Sequence, residues 1–253
     1  MRLEHQTAPT IVDYLRGCTG IILPTGSTEQ HGPTGLFGTD HLCAQAIARG
    51  CGAAHHILVA PTIAVGMSQF HLGFPGSLTL RPSTLSAMIQ DLIASLAVGG
   101  FTRIYILNGH GGNVAPIRSA IQEYHTAESF AGAGPSRVQC RLRNWWDLPS
   151  LNALRRELYG ADEGSHATPS ELAITMASEG DAIGEFDLPR PVATNDLLDH
   201  AGDNYLDAAD YRQRFPDGRV GSHSALARKA DGVRLLAAGV ADLATDFTRF
   251  LAS

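Results

Sequence analysis

An α/β fold with a mostly parallel sheet flanked by helices is predicted by three observations. Apolar runs of β type alternate with stretches of helical periodicity along the chain. The strongest of those runs passes through a glycine-rich turn straight into a helix, as crossover-linked strands do. No internal repeat, low-complexity segment or linker interrupts residues 1–253, so they read as one domain.

The elements follow in order. Gly20–Pro24 is a short buried strand. Asp40–Gly50 carries Leu42, Ala46 and Ile47 at helical spacing, with Thr39 or Asp40 as cap. Ile57–Ile63 reads as a second strand. Ser83 caps a helix whose Leu85, Met88, Ile89, Leu92, Ile93 and Leu96 share a face, and Gly99-Gly100 stops it. Arg103–Asn108 is the clearest strand, and Asn113 opens a helix running to about Glu128. After the Ala131–Pro135 loop come a strand at Val138–Arg143, a helix at Leu151–Leu158 and another starting at Thr168-Pro169. Gly180–Pro216, rich in Asp, Pro and Gly, reads as irregular, and Asp231–Leu251 as a closing amphipathic helix.

Composition narrows the function. The balance of 19 basic against 25 acidic residues and the lack of a basic run argue against nucleic-acid binding. No apolar run approaches the roughly 18 residues a membrane helix needs. Cys18, Cys43, Cys51 and Cys140 form no CxxC pair, and the first residues lack an apolar signal segment. A cytoplasmic protein with reduced thiols is expected.

In parallel sheets ligands bind outside the carboxyl ends of the strands. Chemistry is therefore expected just after Pro24, after Leu107 and after the later strands. Three clusters stand near those places. In the first, Glu29 and His31 alternate to one side of extended chain, and nearby glycines let the loop return Asp40 to them. A hard carboxylate beside an imidazole suits Zn²⁺, Mn²⁺ or Fe²⁺. These residues read equally as polar loop residues, with Asp40 as a helix cap. The second cluster, Asn108-Gly-His110-Gly-Gly-Asn113, is either a ligand site, a solvated turn or an anion cradle. Neither GxGxxG nor GxxxxGK is present, which disfavours a nucleotide. In the third, Thr168, Pro169 and Glu171 form a capping box, leaving His166 just outside it as acid, base or ligand. His71, just before Phe74-Pro-Gly-Ser77, is placed to line the same pocket; His55, His56, His125 and His223 read as structural or surface residues.

Taken together, Gly26-Ser-Thr-Glu-Gln-His-Gly, Asn-Gly-His-Gly-Gly-Asn, Gly164-Ser-His-Ala, Phe74-Pro-Gly-Ser and the Gly221–Gly232 stretch resemble the creatininase family of amidohydrolases over nearly the whole chain. The resemblance implies a three-layer α/β/α sandwich, a two-metal site with zinc or manganese (iron as an alternative) and a homohexamer. It makes Glu29, His31, Asp40 and His110 ligands, with Asp40 shared between the ions, and His166 the proton shuttle. Trp146 resembles a tryptophan that walls the substrate pocket, which Ser77, His71 and Gly111 would also line. Creatinine-hydrolysing members carry an aromatic residue and a glutamate where this chain has Gly111 and Gly112. Glu171 is the nearest candidate to supply the missing carboxylate. The tryptophan and glutamate expected before His166 are also absent from Glu163-Gly-Ser. Metal-assisted hydrolysis of a small amide follows, with creatinine, a formylated pyrimidine intermediate of flavin or deazaflavin synthesis and a short peptide as rival substrates. No GxSxG elbow offers a serine nucleophile. A non-catalytic metal-binding scaffold is the reading from another class.

Overall fold

A computed structural model describes residues 1–132, 134–180, 188–191 and 206–253. Its strands are β1 (Gly20–Thr25), β2 (Leu58–Val59), β3 (Arg103–Asn108) and β4 (Gln139–Asn144). They form a four-stranded sheet in the order β2-β1-β3-β4, all parallel. Its helices are α1 (Ala8–Leu15), α2 (Thr39–His55), α3 (Pro82–Val98), α4 (Val114–Phe130), α5 (Pro149–Tyr159), α6 (Pro169–Ser178), α7 (Ala208–Arg214) and α8 (Lys229–Leu251).

Strand alternation divides the core into two layers. Ile21 and Leu23 of β1, with Ile104 and Ile106 of β3, pack on Leu85, Ile89 and Ile93 of α3 and on Ile117 and Ala120 of α4. Ile22, Tyr105 and Leu107 face the other way, onto Ile47 of α2, Leu151 of α5, Leu172 of α6 and Leu235 of α8. Buried on both faces, the central strands read as continuous apolar runs. This is the expected α/β/α sandwich.

The differences from expectation have local causes. The second strand shrinks to two residues. Ala60 N–H still donates to Ile22 O (2.8 Å) and Ile63 N–H to Pro24 O (3.0 Å). Pro61 and Pro24 bring no donors, so the ladder between them lapses. Arg81, not Ser83, is the cap of α3, with Pro82 in the first helical position. Gly38 precedes α2, so neither Thr39 nor Asp40 caps it. Two helices went unforeseen. The short α1 covers one edge of the core through Ile11, Tyr14 and Leu15. Within the stretch expected to be irregular, Asp207 caps α7 by accepting from Ala209 and Asp210 N–H (2.8 and 2.9 Å). Residues 181–187 and 192–205 of that stretch lie outside the described residues.

Helices α6 and α8 meet at backbone distance. A Cβ on Gly232 would overlap the Ala173 carbonyl oxygen, which belongs to a helix and cannot yield. Gly232→Ala is therefore expected to destabilise the protein. Overpacking costs about 1–3 kcal/mol, more than the roughly 1 kcal/mol alanine regains over glycine in a helix. Thermal unfolding followed by circular dichroism reads the balance; an unchanged or raised melting temperature would show that the helices separate freely.

Candidate metal centre

The chain leaves β1 centrally, crosses to β2 on one side and to β3 on the other, so the β1/β3 boundary is a topological switch point. The histidine and carboxylate clusters converge there. Glu29 and His31 follow β1, His110 follows β3, and Trp145-Trp146 follow β4. Asp40 arrives on the first turn of α2 and Glu171 on that of α6. Close approach of the loops requires glycine at 109, where any Cβ would overlap the Asp40 carbonyl oxygen.

Two imidazoles face carboxylates with the ring nitrogen that no backbone carbonyl engages. His31 donates Nδ1–H to its neighbour's carbonyl, Glu29 O, at 3.0 Å. Its Nε2 therefore faces Asp40 Oδ1 at 3.0 Å and Glu171 Oε1 at 4.0 Å. His110 donates Nε2–H to Met67 O at 2.9 Å, which leaves Nδ1 3.0 Å from Asp40 Oδ2 and 3.4 Å from Glu29 Oε1. Lone pairs facing oxygens repel unless a cation or a proton lies between them. Both Glu29 oxygens and Asp40 Oδ2 are buried without a hydrogen bond among the described residues. Backbone carbonyls that fix histidine tautomers ordinarily accompany metal ligation. The donor set of carboxylates and imidazoles fits zinc or manganese.

Glu29, His71 and His166 form a second group with ligand atoms within 4.8 Å of one another, as do Glu29, His31 and Asp40. Gln30 decides between them. Its Oε1 accepts from Gly32 N–H (2.8 Å), which fixes the amide so that Nε2 donates to His71 Nδ1 (2.9 Å) and Gly218 O (3.1 Å). His71 Nδ1 is therefore an acceptor, and its proton sits on Nε2, 3.2 Å from Glu29 Oε1. A protonated nitrogen cannot ligate; it faces the Glu29 carboxylate without forming a hydrogen bond. His166 donates Nε2–H to Gln30 O at 2.8 Å and keeps a bare Nδ1 3.6 Å from Glu29 Oε1.

The charges are tightly balanced. Burial opposes charge on His31, yet Asp40, with Glu171 and Glu29 behind it, pushes its pKa up to about 10. Burial likewise opposes charge on His110, which Glu29 and Asp40 push up to about 9. Burial raises Glu29 and Glu171 to about 7. Burial also works to raise Asp40, but His31 and His110 hold it well below the usual carboxylate range. Burial, then the neighbouring His71 and His31, lower His166 well below the usual imidazole value. Burial also brings His71 down to about 3.

The remaining expected residues divide. Glu171 completes its capping box, its Oε1 accepting from Thr168 N–H at 2.5 Å, and still lines the cleft. The cap thereby aims the carboxylate. His71, Gly111, Trp146 and His166 also line this cavity of about 620 Å³. Ser77 does not appear in its wall; its hydroxyl accepts from Gln30 N–H at 3.1 Å and so holds the loop. Gly111 has open space around it, whereas a Cβ on Gly112 would overlap Met67 O. The backbone at 112 thus leaves no room for the glutamate that the resemblance would place there. Gln30, Ser68, Trp145 and Arg155 escaped the sequence reading. Only Gln30, set between Glu29 and His31, carried any signal in its position.

Comparisons with known proteins point to one family. The creatininase family profile, described as creatinine amidohydrolase, matches residues 4–247. A mycofactocin precursor peptide peptidase of Mycolicibacterium smegmatis is 37% identical over 124 residues, 47% of this chain and 50% of that protein. A creatinine amidohydrolase of Pseudomonas putida is 31% identical over 144 residues, 55% of each. The chain thus aligns with about half the length of these curated relatives. A solved creatinine amidohydrolase superposes with a TM-score of 0.84 at 23% identity, covering 100% of this chain and 98% of that one. Other solved creatininases sharing the fold include a manganese form and a zinc–zinc form, each with a TM-score of 0.82 and 24% identity. They cover 100% of this chain and 99% and 98% of theirs. The chain belongs to the creatininase family.

Proposed function

We propose that the protein is a metal-dependent amidohydrolase that cleaves a C–N bond in a small amide. The observation that carries this reading is the pair of imidazole nitrogens with no backbone partner, His31 Nε2 and His110 Nδ1, each 3.0 Å from a different oxygen of Asp40. Asp40 would bridge two divalent ions, zinc or manganese, with iron as an alternative. Glu29 and His110 would complete one ion's ligands, His31 and Glu171 the other's. Bound there, such ions supply a polarised carbonyl and a water of lowered pKa. The chain's own residues do the rest. Gln30 holds His71 and His166 in place, Trp146 and Gly111 border the substrate, and His166 Nδ1 takes a proton from the attacking water and gives it to the departing nitrogen. A homohexamer in the cytoplasm belongs to the same reading, and light scattering reads the assembly.

The size of the site favours a peptide-like amide over creatinine. A cleft of about 620 Å³ is several times larger than a creatinine-sized molecule needs, and Gly111 leaves its rim open. Several curated relatives are precursor-peptide peptidases. The test is hydrolysis of a panel holding acylated dipeptides, formamides and creatinine by metal-loaded protein. Turnover of one class, lost on chelation and restored by zinc or manganese, supports the reading. Bound metal with no turnover on the whole panel would leave a non-catalytic scaffold.

Metal loading should be strongly pH-dependent. His31 and His110, raised to about 10 and 9, hold protons at neutral pH that ligation must displace. Their contribution to the metal-free fold is complete below an unfolded value of about 6.5 and is lost as pH rises through 9 to 10. Glu29 and Glu171 act in the same sense: their contribution is complete below about 4.3 and lost through about 7. Asp40, held low, loses its contribution only in strong acid. The stripped protein is therefore expected to melt lower at pH 9 than at pH 6, while the gap to the metal-loaded protein widens. Scanning fluorimetry across that range checks it; a constant gap would show that no proton leaves on loading.

A further inference from the structure

Among the described residues, Arg155 is the only lysine or arginine that lines the metal cleft. It projects from α5 with its side chain 14% exposed. One edge of the guanidinium is occupied: Nε donates to Glu163 Oε1 at 2.8 Å, and that oxygen also accepts from the Ser170 hydroxyl. Nη1 donates to Trp146 O at 3.3 Å, and the guanidinium carbon lies 5.4 Å from the centre of the Trp145 ring. Nη2 has no hydrogen bond among the described residues. Beside it, Trp145 lines the same cleft, and its indole N–H is buried without a partner among the described residues. A buried, unsatisfied N–H is costly unless something outside the chain accepts from it. Glu163 cancels the arginine's charge but not its remaining donors, since guanidinium offers five in a planar fork.

A second cavity of about 320 Å³ adjoins the cleft; the two share Trp146, Arg155 and Gly164. Arg156 lines that annex as well. A substrate reaching past Trp146 from the metal ions would meet Arg155 on the way. We propose that Arg155, aided by the Trp145 indole N–H, is a specificity-determining residue that binds a carboxylate of the substrate. The bond cleaved then lies in an amide that carries a free carboxylate some atoms away, as in a short peptide with its own carboxyl end. This inference rests on the amidohydrolase reading for the cleavage, but the binding site itself does not.

Both tryptophans of the chain sit at this wall, so intrinsic fluorescence reports on the site without any turnover. The probes are acetylated dipeptides of alanine and valine, each as free acid and as carboxamide. They are titrated into wild type, Arg155→Met and Arg155→Lys, metal-loaded and chelator-stripped. Wild type is expected to bind the acids at least about tenfold more tightly than the amides, with or without metal. That ratio should fall to about one in Arg155→Met and partly recover in Arg155→Lys. Circular dichroism confirms that each variant folds; Arg155→Gln replaces Arg155→Met if the latter does not. Equal affinity for acids and amides in wild type overturns the proposal, as does a preference that survives in Arg155→Met or no saturable quenching by any acid. A preference present only with metal shows the ions, not Arg155, holding the carboxylate, and also overturns it. Failure of the amidohydrolase reading appears separately, as no turnover beside intact, Arg155-dependent binding.

Discussion

Asp40→Ala is expected to empty the site of metal. Asp40 reaches His31 with one oxygen and His110 with the other, each at 3.0 Å. Removing it takes a ligand from both proposed ions at once, whereas loss of Glu171 would touch one. Losing an outer-shell partner already costs about 10–100-fold in metal affinity, and a shared inner ligand should cost more. Elemental analysis of protein prepared without chelators should therefore fall from close to two divalent ions per chain to near none, with turnover abolished. Asp40→Asn separates charge from shape, because it keeps the side-chain size and removes the anion that faces both imidazoles. Its metal content should fall almost as far. Loss of a single ion in Asp40→Ala would show that Asp40 serves one ion only, and full metal retention would remove the bridged centre altogether. A melting curve of the metal-free variant guards against simple unfolding, since taking away the partner of two buried imidazoles disturbs the fold as well.

The parts of this site that show in the sequence are those whose partners lie close along the chain or at a strand end. Glu29 and His31 alternate on one side of an extended segment, and His110 follows the most regular strand. The capping box that positions Glu171 is complete within four residues. The hidden parts depend on long-range closure. Gln30 reaches His71 and His166 across 41 and 136 residues, and His110 takes its tautomer from the Met67 carbonyl 43 residues away. No local pattern encodes such bonds. Arg155 and Trp145 look like ordinary helix-surface and core residues until the fold sets the guanidinium over the Trp145 ring. The fold itself was readable wherever hydrophobic period spoke alone. It failed where proline cut the β2 ladder at Pro61, and where a single Asp207 cap sufficed to start α7 in a polar stretch.

His166→Ala is expected to lower turnover by about 10²–10⁴, the range for a positioned acid or base, while both ions stay bound. His166 stands between His31 and His71, with ring centres 4.6 and 4.4 Å away. The next residue, Ala167, is fully buried with φ 57°, a left-handed turn that presents the imidazole to the cleft at some backbone cost. Gln30 fixes the tautomer from the far side, so Nδ1 faces the reacting region with its lone pair. That nitrogen has two competing uses. As a ligand beside Glu29 it would make metal content collapse in the variant; as a shuttle it would leave metal content intact and reduce kcat. The shuttle is the stronger use because His71, the third member of the second ligand group, carries its proton towards Glu29 and cannot complete that group. In kinetic terms the loss should fall on kcat, with KM little changed, because the interaction is made when the nitrogen departs rather than when substrate binds. Substrates whose leaving amine is already acidic need less protonation and should be rescued most. If the variant loses metal in step with activity, His166 is a ligand and the proton must come from elsewhere. If it keeps both metal and activity, the imidazole only shapes the wall.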